Sequence, residues 1–175
     1  WGDAQFIVLD PFRYTTERSR NGNNWPWTLG ENQYQWLKAS LENVDAKYRF
    51  VFIHHIVGGS PMNNRGGVEV AKLWEWGGKD MDGKFEFAKQ RPGWELPIHD
   101  LLVKHGVSIV FHGHDHLFVK QDLDGIVYQE VPQPGHPRSG NTNTAKEYGY
   151  LSGEIQSSSG FIRIRVGREE TRADY

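Results

Sequence analysis

Val107-Ser-Ile-Val-Phe-His-Gly-His-Asp-His116 decides how this chain is read. Residues 107–111 are a short, mostly apolar run, the kind of strand buried on both faces of a largely parallel sheet. Three histidines and an aspartate follow at once, with Gly113 among them to let the backbone turn sharply and bring His114 and His116 together. The same pattern stands earlier, where Arg49-Phe-Val-Phe-Ile53 runs into His54 and His55. In open α/β sheets, sites form in the crevice beyond the carboxyl ends of the strands. Two neighbouring parallel strands would therefore deliver both clusters to one crevice.

Outward from these strands the chain alternates. Residues 4–10 read as a third strand, ending in Asp10, and a polar stretch to Trp27 reads as a surface loop. Thr28-Leu-Gly-Glu31 has the spacing of a capping box, and Tyr34, Leu37, Leu41 and Val44 then mark one face of a helix. Pro97 opens a second helix with Ile98, Leu101, Leu102 and His105 on its inner stripe and Gly106 as its stop. Between them, residues 58–94 form a long, Gly-rich excursion carrying Trp74, Trp76, Phe85, Phe87 and Trp94, expected to wall a pocket. Residues 117–175 are a β-rich tail, with strands expected at 117–120, 125–131 and 161–166. No repeat or linker divides the 175 residues, so a single α/β domain is expected.

Composition narrows the chemistry. The formal net charge is −2, with no basic excess to attract nucleic acid. No apolar run approaches the roughly 20 residues that span a bilayer. Cysteine is absent, which removes disulfides and thiolate metal sites. It leaves the compartment open, although the Trp-, Gly- and Asn-rich makeup leans towards export. The chain begins at Trp1 and runs almost directly into the apolar stretch Phe6-Ile-Val-Leu9, which is expected of a piece of a longer protein.

Neutral imidazole is a good ligand for Zn, Fe, Mn, Ni and Co. Asp115 could orient one of these rings from behind. The plainer reading of the 113–116 stretch is a polar turn. His112 could simply face solvent beside the site, and His99, His105 and His136 read as structural histidines. Arg65 or Lys79 could contact an anion, or be ordinary solvated loop charges.

The ordered set resembles the calcineurin-like metallophosphoesterases, including the purple acid phosphatases, in their C-terminal half. The match rests on Phe6-Ile-Val-Leu-Asp10, Gln33-x-x-Trp36-Leu37 with Leu41, Val51-Phe-Ile-His54-His55, and Ile109-Val-Phe-His-Gly113-His114-Asp-His116, and covers about residues 1–132. It implies part of a four-layer α/β/β/α sandwich with mixed sheets, lacking the N-terminal half. It also implies hydrolysis of phosphate mono- or diesters at a binuclear site of two divalent or trivalent ions such as Mn, Fe or Zn. His54 and His114 would hold one ion and His116 the other, with His55 supporting them or facing substrate. The family's Asp-x-His, Gly-Asp and Asn-His-Glu segments have no counterpart here: Phe12 stands where the first would place its His, and Gly2-Asp3 lacks the second's context. The resemblance thus implies a partner, the missing first half. The sheet edge it would cover is also a place for two copies to pair. The competing readings are a Trp-rich carbohydrate-binding module and a structural zinc domain.

Overall fold

The structure, a computed structural model, describes residues 2–17, 22–61, 63–135 and 142–175, so His136 lies outside the described residues. Its centre is a six-stranded mixed sheet. Parallel strands β1 (Ala4–Leu9), β2 (Tyr48–Ile53), β3 (Ile109–His112) and β5 (Ile126–Glu130) lie side by side, and β4 (Phe118–Leu123) and β6 (Glu154–Gln156) extend the sheet antiparallel, in the order β1-β2-β3-β5-β4-β6. This is a mixed α/β architecture. β6 is a short, polar element that carries no apolar alternation in the sequence.

Helices cover one face. Helix α1 (Glu31–Glu42) buries Tyr34, Leu37 and Leu41 against Ile7, Leu9, Val51 and Ile53, the inward residues of β1 and β2. Val44 falls beyond its end and is exposed. The expected capping box is not how the helix begins. Gly30, at φ 76°, is the N-cap, and Thr28 Oγ1 accepts the Gly30 N–H at 2.8 Å, closing a turn just before the helix. A side chain at Gly30 would strike the Tyr14 ring, with its Cβ 2.4 Å from Cγ. Helix α4 (Ile98–Lys104) starts one residue after Pro97 and stops at Gly106, whose φ of 63° suits glycine.

The excursion sends most of its aromatic residues into the core. Its short helices α2 (Trp74–Gly77) and α3 (Phe87–Gln90) push Trp74, Trp76 and Phe87 into the main core beside Trp25, Trp27 and Trp94. These rings are core filling, because the helical face of the sheet needs bulky apolar cover. Glu75, fully buried, ties them together: its carboxylate accepts the Leu29 N–H at 2.7 Å and pairs with Arg91, which also donates to the carbonyls of Trp25 (2.6 Å) and Trp27 (3.1 Å). His99 is structural as expected, with Nδ1 2.7 Å from the Tyr128 hydroxyl, Nε2 3.0 Å from Asp124, and Trp76 donating to the same hydroxyl at 2.9 Å. His105, at the helix end, is half-buried, and burial lowers its proton affinity.

The opposite face is only partly covered. Ala4, Phe50 and Phe111 are buried there, and Ile162 and Ile164, from the two-stranded sheet of β7 (Arg163–Val166) and β8 (Thr171–Asp174) and the residue before it, pack on them. Towards β1 the cover ends, leaving Phe6 51% and Val8 71% exposed. Helices, main sheet and hairpin thus make three layers. Among the described residues no helix is long and apolar enough to cross a membrane.

Candidate functional site

β2 and β3 are parallel neighbours, so their carboxyl ends finish side by side. A backbone bond joins the two segments just past those ends, as the Gly113 N–H donates to the His54 carbonyl at 3.0 Å. His54 Nε2 then stands 3.1 Å from His114 Nδ1. The His55 ring lies 5.8 Å from His54 and 5.9 Å from His114, centroid to centroid. Two runs of sequence about sixty residues apart therefore bring three imidazoles to one crevice.

The turn is built differently from the expectation. Gly113 needs no glycine freedom, and a Cβ there would meet nothing nearer than the His54 carbonyl at 3.8 Å. The histidines themselves carry the unusual backbone, with φ of 90° at His114 and 58° at His116. Non-glycine residues hold such angles only where their surroundings over-determine them.

Asp115, between the two, supplies that restraint. Its carboxylate accepts from Arg65 (2.6 Å), the Gly66 N–H (3.2 Å) and the Tyr150 hydroxyl (2.7 Å), while its own N–H donates to Glu130 at 2.9 Å. The sequence pattern suggests a carboxylate that orients a ring. In the structure it pins the loop to the excursion and to Tyr150. Burial and these carboxylates push the Tyr150 hydroxyl's pKa well up, so it remains a donor.

His112 is not a solvent-facing bystander. It is buried, and its Nδ1 lies 2.8 Å from the carboxylate of the wholly buried Glu130. The signal that could have found Glu130 is an acidic residue closing an otherwise apolar strand, Ile126-Val-Tyr-Gln-Glu130.

His55 is 3% exposed and sits among aromatic rings, 4.9 Å from Trp27 and 5.2 Å from Phe12. Its Nδ1 faces the Ile56 carbonyl at 3.0 Å and so carries the proton. Its Nε2 is buried without a hydrogen-bond partner. Burial lowers its pKa to about 4, so the ring is neutral around pH 7. Burial likewise lowers the proton affinity of His114, against the pull of Asp115. Phe12 packs 5.4 Å from His54. Asp10, two residues before it, uses its carboxylate to accept the Phe12 and Arg13 N–H groups at 2.8 and 3.3 Å.

His116 is exposed, its carbonyl accepting from the Ser158 hydroxyl. Among the described residues no group of three or more His, Cys, Asp or Glu side chains is placed to hold a metal ion. The pair of His54 and His114 nevertheless fits one edge of a coordination shell. Two nitrogens at about 2.0–2.1 Å from one tetrahedral Zn-class ion stand roughly 3.3 Å apart, and here they are 3.1 Å apart.

No protein-family model and no curated protein matches the sequence. Among solved structures, the chain is similar to PhoD, with 15% identity and a TM-score of 0.58 over 98% of this chain and 36% of that one. A structure described as GAP50, the anchor in the inner membrane complex of Plasmodium, matches at 16% identity and a TM-score of 0.48 over 91% of this chain and 40% of that one. The likeness to PhoD establishes a shared fold, and the chain spans little more than a third of PhoD's length.

Proposed function

We propose that this chain is part of a metal-dependent hydrolase of phosphate mono- or diesters and supplies the histidine half of its binuclear site. The observation that carries the reading is the convergence of His54 Nε2 and His114 Nδ1 at 3.1 Å, beyond the ends of adjacent parallel strands. The fold shared with PhoD and the ordered sequence motifs support it. His54 and His114 hold one ion, His116 holds the second, and His55 backs the pair as a neutral ring. Bound divalent or trivalent ions such as Mn, Fe or Zn polarise the phosphoryl oxygens and make hydroxide available near neutral pH. Carboxylate and amide ligands come from the remainder of the longer protein, which also covers Phe6 and Val8.

Of the alternatives, the carbohydrate-binding reading loses its platform. Trp25, Trp27, Trp74, Trp76 and Trp94 are buried, and among the described residues only Trp36 is an exposed tryptophan. The structural-zinc reading calls for a fold that depends on the metal.

The experiment is the double substitution His114→Ala with His116→Ala in the longest form of the protein, assayed on p-nitrophenyl phosphate and its bis-ester. Loss of hydrolysis with an unchanged melting temperature is expected. Hydrolysis at the unaltered rate rejects the assignment.

A further inference from the structure

The charge of Arg65 belongs to the site. It lies on the excursion, in a loop closed by the Ser60 N–H donating to the Arg65 carbonyl (2.9 Å) and the Asn64 N–H donating to the Ser60 carbonyl (3.1 Å). The loop is packed so tightly on Gly59 that a Cβ there would sit 2.4 Å from the Asn64 carbonyl carbon. Asn24, fully buried, clamps it from behind by donating to the carbonyls of Gly58 (2.6 Å) and Ser60 (2.9 Å). Such a loop holds Arg65 still, where a solvated loop charge would move.

The side chain is fixed as well. One terminal nitrogen bonds Asp115 Oδ1 at 2.6 Å, and the guanidinium lies 3.9 Å over the Tyr148 ring. Asp115 is the residue between His114 and His116, so the cation is anchored to the loop that presents both imidazoles. A guanidinium carries five N–H donors in a rigid fork. One is engaged by Asp115; no other side-chain donor of Arg65 has a hydrogen-bond partner among the described residues, and the side chain stays 24% exposed. A cation held by a carboxylate on one edge and an aromatic ring on its face, with its other edge open, is preorganised to receive an oxyanion.

We infer that Arg65 is a substrate-binding residue of this site, its open edge receiving the non-bridging oxygens of a phosphate ester while Asp115 and Tyr148 hold it in position. Lys79 has no such support. Its backbone joins the small bridges beside Trp74, and the residue is exposed. The inference deepens the hydrolase reading and rests on it for the identity of the anion.

The test uses the whole chain with a chelator present, so that it stands apart from metal uptake. Inorganic phosphate is titrated at constant ionic strength, set with chloride, while the Arg65 Nε–H resonance is followed by NMR. Calorimetry is run in parallel on the wild type, Arg65→Gln and Arg65→Lys. A charge-assisted bond of this kind supports about a tenfold or greater weakening in Arg65→Gln, with partial recovery in Arg65→Lys and a phosphate-dependent shift at Arg65 in the wild type. Thermal melts identify any variant that has lost its fold, and the wild-type Nε–H shift decides the matter without a variant. Equal phosphate affinity in wild type and Arg65→Gln, or no movement of the Arg65 resonance, overturns the inference. If the chain binds phosphate through Arg65 yet hydrolysis by the longest form of the protein survives His114→Ala with His116→Ala, the hydrolase reading falls while the anion site stands. If those substitutions abolish hydrolysis but phosphate binding ignores Arg65, only this inference falls.

Discussion

Arg91→Met isolates the polar hub on which the back of the site rests. Glu75 is wholly out of solvent, and Arg91 is its counter-charge. The same guanidinium fixes the carbonyls of Trp25 and Trp27, and Trp27 packs edge-on against His55 at 4.9 Å. Methionine keeps most of the volume and removes the charge. The carboxylate then keeps the Leu29 N–H but loses its cation, and breaking a buried pair from one side costs about 3–5 kcal/mol. Replacing both partners, Glu75→Met with Arg91→Met, removes the stranded charge, so the double variant should lose less than the two single losses combined. The expected coupling is on the order of 1–3 kcal/mol. Urea denaturation followed by tryptophan fluorescence measures this through the midpoint at unchanged slope. A loss below about 1 kcal/mol for Arg91→Met, the level of an exposed pair, would refute the hub.

Acid sensitivity is a second consequence. The folded pKa of His55 lies near 4, below its ordinary value of 6.5, so the unfolded chain binds the extra proton between those values. The stabilisation is complete above pH 6.5 and is lost as pH falls towards 4, by about 3 kcal/mol for the metal-free chain. Urea midpoints across that range should fall for the wild type and much less for His55→Gln; a flat wild-type profile would contradict the burial of a neutral ring. His99→Phe removes one partner from the buried Tyr128 hydroxyl and another from Asp124, and should cost about 1–3 kcal/mol in the same assay. Replacing Phe6 and Val8 with lysine places charge on the uncovered sheet face. If that face or the free edge of β1 drives self-association, sedimentation velocity should show the wild type forming dimers or larger species and the double variant running as a monomer. Identical profiles would exclude that route.

The sheet was readable because apolar runs such as Ile109-Val-Phe and Phe50-Val-Phe-Ile need burial on both faces, and each ends in a histidine that a core strand has no reason to carry. Their parallel pairing and the meeting of His54 with His114 agree with that pattern. The role of the tryptophans was not readable, since a ring that lines a pocket and one that fills a core leave the same letter in the sequence. Position decided it, with Trp74 and Trp76 delivered to the helical face of the sheet by short helices that have no periodic signal. Asp115, Glu130 and Arg65 act through long-range contacts, 49 residues from Gly66 to Asp115 and 50 from Arg65 to Asp115, that no local spacing records. The turn at residues 113–116 placed its strain on the histidines and not on the glycine, because the Asp115 network offsets the cost of angles that glycine would have adopted freely.

The most direct measurement is a zinc titration of the whole chain, followed by NMR at the imidazole nitrogens. A shared cation site predicts that His54 Nε2 and His114 Nδ1 shift together at one stoichiometry, and that His54→Ala abolishes the response at His114. Independent responses of the two rings, or a His114 response that survives loss of His54, would contradict it.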